Sequence, residues 1–116
     1  MMKWPIEVIP DNDSVYYRVH QSSIIQGKII PYAFREIGEG MSTDWAKYST
    51  PQESRGRAKN PFQNAIVSLV VARLKNLRLE VAHSPTEKNR SHTNVKGIDV
   101  EIRIKLLEIY SWELQI

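Results

Sequence analysis

The sequence predicts an α+β fold: a single small domain, residues 1–116, with a mainly antiparallel sheet and one or two short helices. Three observations support this prediction. A chain of 116 residues has the length of one domain. Several short runs are rich in β-branched and aromatic residues, which is typical of strands. A capping box predicts at least one short helix, and a mixed domain accounts for both features.

The first predicted strand is residues 15–20, which follow a turn cluster and consist mostly of β-branched and aromatic residues. Successive side chains of a strand point to opposite faces. One face is apolar and suits the core: Val15, Tyr17 and Val19. The other face is polar and lies where a strand ends: Tyr16, Arg18 and His20.

Residues 24–34 contain a glycine and a proline, which predicts short extended pieces joined by a turn. Two more glycines, at positions 38 and 40, predict a flexible joint. In the segment Met41–Trp45 we expect Ser42 and Thr43 to cap the turn that enters the next element. The alternative is that Ser42 or Asp44 lines a pocket beside the tryptophan ring.

The clearest local signal is the capping box Thr50-Pro51-Gln52-Glu53. Thr50 can accept a hydrogen bond from a free amide of the first turn, Pro51 suits the first helical position, and Glu53 can reach back. A short polar helix is therefore predicted over about residues 51–58, and Asn60-Pro61 ends it.

Residues 65–74 are the most apolar stretch and fit a central strand, buried on both faces, that contains Val70. A buried helix is the alternative, because periodicity does not separate the two. Residues 77–83 alternate and predict a strand with one exposed face. Lys75-Asn76 between them would form a tight hairpin turn, and residues 84–93 a polar loop. Residues 99–112 fit a strand or a helix, and we expect a strand at their start.

Composition excludes several classes of protein. The chain has no cysteine, which excludes disulfides and thiolate chemistry and fits a cytoplasmic protein. No run of 18 apolar residues and no secretory signal is present, so we expect no membrane partner. The formal net charge is −1 for residues 1–50 and +4 for residues 51–116. This excess is small for a nucleic-acid binder, although a nucleic-acid partner stays open.

The residues that could carry chemistry are polar side chains at predicted strand ends, in the Met41–Trp45 segment and in the late polar loop. They are Arg18, His20, Ser42, Asp44, His83, Asn89, Arg90 and His92. Arginine can bind an anion, and histidine can transfer protons near neutral pH. For each residue, a purely structural role is the alternative. No metal-ligand spacing and no glycine-rich phosphate loop is present, so we predict neither metal nor cofactor.

Several runs together resemble a family of small uncharacterised bacterial proteins. They are Tyr17-Arg18-Val19-His20, Ala33-Phe34, Met41-Ser42-Thr43-Asp44-Trp45 with the residues up to Pro51, His83-Ser84-Pro85 and Asn89-Arg90-Ser91-His92-Thr93. The resemblance covers most of residues 15–98 and implies no activity.

A more distant similarity is to ADP-ribosyltransferase-like folds, which place an arginine or histidine, a Ser-Thr pair and a glutamate on three strands. Arg18 or His20 would match the first and Ser42-Thr43 the second. Glu80 or Glu101 would be the third, without the doubled-acid pattern of those enzymes.

Two functions are consistent with the sequence, and it does not decide whether the protein is an enzyme. The first is an accessory or interaction protein that works with a protein partner or as a homo-oligomer. The second is a small enzyme or toxin that acts on a nucleotide or nucleic acid. Convergence of Arg18, His20, His83 and His92 in one pocket would favour the enzyme, and their scatter over the surface would argue against it.

Overall fold

A computed structural model describes residues 4–116. The predicted α+β class is confirmed: one six-stranded antiparallel sheet, a two-stranded hairpin and three short α-helices. The strands are β1 (Ser14–His20), β2 (Ile24–Ile25), β3 (Lys28–Ile29), β4 (Met41–Trp45), β5 (Asn64–Val70), β6 (Glu80–His83), β7 (His92–Lys96) and β8 (Ser111–Leu114). The helices are α1 (Pro51–Gly56), α2 (Val71–Asn76) and α3 (Val100–Leu106).

The strands of the main sheet lie in the order β6-β7-β4-β1-β5-β8, and every neighbouring pair is antiparallel. The predicted strand at residues 15–20 is therefore confirmed as β1, in the middle of the sheet. Its Val15 and Val19 are buried and its His20 is exposed, as the alternation predicted.

One face of the sheet forms the core. Its strands contribute Val15, Val19, Met41, Trp45, Val67, Leu69 and Val95. Helices α2 and α3 add Val71, Leu74 and Leu106 to the same cluster. The opposite face carries the polar side chains, and α1 covers only its β1–β5–β8 side. The sheet therefore has one apolar face and one face that is partly open.

The capping box is confirmed. Thr50 accepts from the amide of Glu53 at 3.1 Å, and the Glu53 carboxylate accepts from the amide of Thr50 at 3.0 Å. The helix that follows is α1, which ends two residues earlier than predicted.

The expected capping role of Ser42 and Thr43 is wrong, because both residues lie within strand β4. Ser42 and Thr43 pair with Asn94 and Thr93 of β7, and the next two residues of β4 pair with β1. His92 is also not in a loop, since it begins β7.

The predicted strand over residues 65–74 is correct only up to Val70. Val70 is the last residue of β5 that pairs with β1, and the chain continues from Val71 as helix α2. Val70 is consequently half-buried at the strand end. The hairpin turn at Lys75-Asn76 is wrong, because these residues end α2 and β6 pairs with β7 instead of β5.

The strand expected at the start of residues 99–112 is also wrong. Asp99 accepts a hydrogen bond from the amide of Ile102 at 2.8 Å and caps helix α3, which brings the helices to three. The edge strand β8 covers residues 111–114 and so includes only the last two residues of this region.

Candidate functional site

The open part of the polar face lies on β1, β4 and β7. In an antiparallel sheet, residues directly opposite each other point to the same side. Asp44 pairs with Tyr16 on one side and with His92 on the other, and Ser42 pairs with Asn94. These side chains therefore share one face, and we call this surface the polar face.

A pocket of about 220 Å³ lies beside the polar face, and Tyr17 of the core face of β1 and Ile37 form part of its lining. Its lining includes Arg18 from β1, Ser42 from β4 and Arg35 from the segment between β3 and β4. Gly40 also lines it, at a φ of +145° and with room for no larger side chain, since an added Cβ would lie 3.0 Å from the Val95 carbonyl oxygen. The close approach of this glycine to β7 lets the segment that carries Arg35 reach the sheet.

Neither pocket arginine forms an ion pair within residues 4–116. Arg18 Nη1 donates to the Ser54 carbonyl oxygen of α1 at 3.3 Å. The Arg35 guanidinium lies 5.4 Å from the centre of the Tyr32 ring. The lining of the pocket therefore includes two arginines that form no ion pair with a carboxylate in the described chain, and the charge of Arg18 also stabilises the nearby Asp44 carboxylate.

Ser42 and His92 form a hydrogen-bonded pair at the pocket. Ser42 Oγ lies 3.1 Å from His92 Nε2, and His92 Nδ1 lies 2.8 Å from the Ser84 carbonyl oxygen. A carbonyl only accepts, so Nδ1 must carry the hydrogen in this arrangement. In the neutral ring, Nε2 is then the acceptor for the serine hydroxyl.

Asp44 holds neighbouring side chains of the polar face in place through hydrogen bonds. Its buried carboxylate accepts from Asn89 Nδ2 at 2.8 Å and from Arg57 Nη1 at 3.1 Å. Burial raises the pKa of Asp44, but the hydrogen bonds from neighbouring side chains and the charges of Arg57 and Arg18 outweigh it, so the pKa lies below its usual value. Asp44 is therefore a charged anchor for the loop that contains Asn89, and that loop carries the Ser84 carbonyl that orients His92.

The structure places His20 outside the pocket. It is exposed at the end of β1, where Nδ1 lies 2.8 Å from Ser22 Oγ and Nε2 lies 3.4 Å from Gln63 Oε1. The four residues whose convergence would favour an enzyme are thus not all together: Arg18 and His92 lie on the polar face at or beside the pocket, whereas His20 lies at the far end of β1 and does not line it.

His83 lies on the opposite, core face. It is 3% exposed and packs edge-on against Trp45, with ring centres 5.1 Å apart. Its Nδ1 accepts from the amide of Glu7 at 3.0 Å, and its Nε2 donates to the Arg90 carbonyl oxygen at 2.7 Å. Both nitrogens bind backbone groups, so His83 holds the N-terminal segment and the late loop together.

Arg90 also points away from the pocket. Its guanidinium lies 4.5 Å from the centre of the Trp4 ring and 4.0 Å from that of Tyr48. One nitrogen lies 3.8 Å from a Glu7 carboxylate oxygen. Arg90 thus packs against the N-terminal segment through cation–π contacts.

Sequence reasoning missed Arg35 and did not connect Arg57 with Asp44. Arg35 had no local signal, because it lies in an irregular segment that only the fold brings to β1 and β4. Of the two glutamates considered for the distant ADP-ribosyltransferase similarity, Glu101 lies in helix α3 and Glu80 begins the edge strand β6.

Comparisons with known proteins add no assignment: no family model, no curated protein and no solved structure matches this chain. Within residues 4–116, no group of three or more histidine, cysteine, aspartate or glutamate side chains is placed to hold a metal ion. No helix of the described chain is long and apolar enough to cross a membrane.

Proposed function

We propose that this protein binds a phosphate-bearing ligand of the nucleotide class in the pocket beside the polar face. The observation that carries the proposal is the presence of Arg18 and Arg35 in one pocket without a paired carboxylate. Guanidinium groups bind phosphate through paired N–H donors, and such charge-assisted hydrogen bonds are about twice as strong as neutral ones.

The charge balance around the pocket supports an anionic ligand. The polar face also contains the buried carboxylate of Asp44, whose oxygens already accept hydrogen bonds from Arg57 and Asn89. Its negative charge is therefore largely committed to structure. The two pocket arginines are left to bind an anion from solution.

The pocket size favours a compact anionic group. A volume of about 220 Å³ is below the range of roughly 300–1,000 Å³ that is typical of sites which enclose a whole drug-sized ligand. We infer that the phosphate end of the ligand enters the pocket and that the rest lies along the polar face.

Thermal unfolding with added ATP tests this proposal. At ten times its dissociation constant, a ligand that binds only the folded protein adds about 1.4 kcal/mol of stability, or roughly 6 °C in Tm for a domain of this size. Arg18→Ala and Arg35→Ala should each lose most of this shift and should remain folded, because neither side chain lies in the core.

Arg73→Ala is the matched control for these variants. Arg73 is exposed on α2, away from the pocket, so its replacement should leave the ATP-induced shift unchanged. A wild-type protein that shows no shift at millimolar ATP, or an equal loss in the control variant, would rule out the proposed site.

The other function, that of an accessory protein which works with a protein partner or as a homo-oligomer, remains a prediction. The feature that favours it is a set of exposed apolar side chains, such as Ile6 and Val8 near the N-terminus and Val100 and Ile104 on one side of α3. Exposed apolar surface is often covered in assemblies. Light scattering on the purified protein tests the homo-oligomer, which a monomeric mass over a wide concentration range would exclude.

A further inference from the structure

The pocket also contains a hydroxyl group beside a proton acceptor. We propose that Ser42 is a nucleophile and His92 its general base, and that together they cleave a phosphomonoester of the bound ligand. This inference rests on the proposed binding of a phosphate-bearing ligand, because the phosphate must lie between the two arginines and Ser42.

The hydrogen bonds around His92 support this role. A serine nucleophile needs a base within hydrogen-bond reach, and the base needs a third group that fixes its orientation and tautomer. Ser42 Oγ lies 3.1 Å from Nε2, and the Ser84 carbonyl accepts from Nδ1–H at 2.8 Å. The carbonyl directs the free lone pair of the imidazole at the serine hydroxyl.

The position of Ser42 in the pocket identifies the substrate class. Ser42 is exposed and lines the same pocket as Arg18 and Arg35. A phosphoryl group that binds both guanidiniums would lie against the serine hydroxyl. The same guanidiniums would stabilise the charge that develops on the phosphoryl oxygens in the transition state.

The reaction balances in two steps. Ser42 Oγ forms a bond to phosphorus while its proton passes to His92 Nε2. The bond from phosphorus to the leaving oxygen breaks, and that oxygen takes the proton from His92. Water then attacks the phosphoserine with His92 as base. The bond from Ser42 Oγ to phosphorus breaks, inorganic phosphate leaves, and the proton on His92 returns to Ser42.

A second serine–histidine pair in the chain is a natural control. Ser22 Oγ lies 2.8 Å from His20 Nδ1, but both side chains are at the exposed end of β1 and neither lines the arginine pocket. If a nearby histidine alone activated serine, both pairs would react. The proposal requires reaction at Ser42 only.

Diisopropyl fluorophosphate is the probe for the nucleophile, since it transfers its phosphoryl group to an activated serine and releases fluoride. Mass spectrometry of the wild-type protein should show one added group, and peptide mapping should place it on Ser42. His92→Ala and Ser42→Ala should abolish labelling, and Ser22→Ala should not.

Hydrolysis of 4-nitrophenyl phosphate tests the substrate class. General-base catalysis typically contributes 10²–10⁴-fold, so His92→Ala should lower kcat by at least roughly 100-fold. Label on another residue, label that survives in His92→Ala, or no hydrolysis by the wild-type protein would overturn the inference. If the wild-type protein still gains its arginine-dependent ATP shift, the binding proposal survives that failure; if the shift is absent, the binding proposal fails separately.

Discussion

Replacement of Asp44 by alanine should lower the free energy of unfolding by about 3 kcal/mol near neutral pH. The Asp44 side chain is 7% exposed and accepts from Asn89 and from Arg57, whose side chain is 29% exposed. A hydrogen bond to a charged group contributes roughly 1.5–3 kcal/mol. We take the lower value for each bond, because water can partly replace the lost partner of the more accessible Arg57.

The exposed pair of Lys75 and Asp11 provides the control. Its contact is shorter, 2.7 Å against 3.1 Å for Arg57 and Asp44, but its side chains are 44% and 68% exposed. Exposed ion pairs contribute little, so Asp11→Ala should cost less than about 0.5 kcal/mol. Urea unfolding of both variants, followed by tryptophan fluorescence, measures the difference. Equal costs would refute the argument that burial determines the strength of the Asp44 contacts.

The pH dependence gives a second check on Asp44. The pKa of Asp44 in the folded protein lies below its usual value. Burial raises this pKa, but hydrogen bonds and the charges of nearby arginines lower it by more. The stability that the carboxylate contributes is therefore present above the pKa of the unfolded chain and is lost as the pH falls through the folded pKa. The stability gap between the wild-type protein and Asp44→Asn should narrow in acid, and a constant gap would contradict the ionised state of Asp44.

Two further predictions concern the ends of secondary structure elements, and both are read from the cooperativity and midpoint of unfolding. Thr50→Ala should cost about 1 kcal/mol because it removes half of the capping box, whereas Gln52→Ala, exposed in the same turn, should cost less than about 0.5 kcal/mol. Val70→Asp should still fold, because Val70 is half-buried and an aspartate at this N-cap position can accept from the first turn of α2. Leu69→Asp should not fold cooperatively, because it would bury a charge in the core; an unfolded Val70→Asp or a cooperative Leu69→Asp would contradict the assigned faces.

The elements that the sequence predicted well depend on local interactions. The capping box of α1 consists of two hydrogen bonds between residues three apart, so residue types and spacing are sufficient to predict it. The two faces of β1 follow from alternation alone. Such signals need no knowledge of distant partners.

The elements that were mispredicted depend on partners far along the chain. β5 ends at Val70 because its neighbour β1 begins at Ser14, and the next two amides bind the turn before β1: Val71 donates to the Asp13 carbonyl at 2.9 Å and Ala72 to that of Asp11 at 2.7 Å. No property of the apolar run itself indicates this end point. For α3, by contrast, the N-cap Asp99 was a readable signal, but the β-branched residues that follow it favoured a strand.

The candidate site shows the same dependence on register, and the two histidines near the late loop are the clearest case. His83 pairs opposite Thr93, so it shares the core face with that residue, and His92, one position earlier on β7, must point to the other side. A shift of one residue in this pairing would exchange the two faces. It would bury His92 and remove it from Ser42. The opposite orientations of His83, which is structural, and His92, the candidate base, therefore follow from the pairing of β6 with β7. A substitution that disturbs this register should impair the Ser42–His92 pair before it impairs either arginine of the pocket.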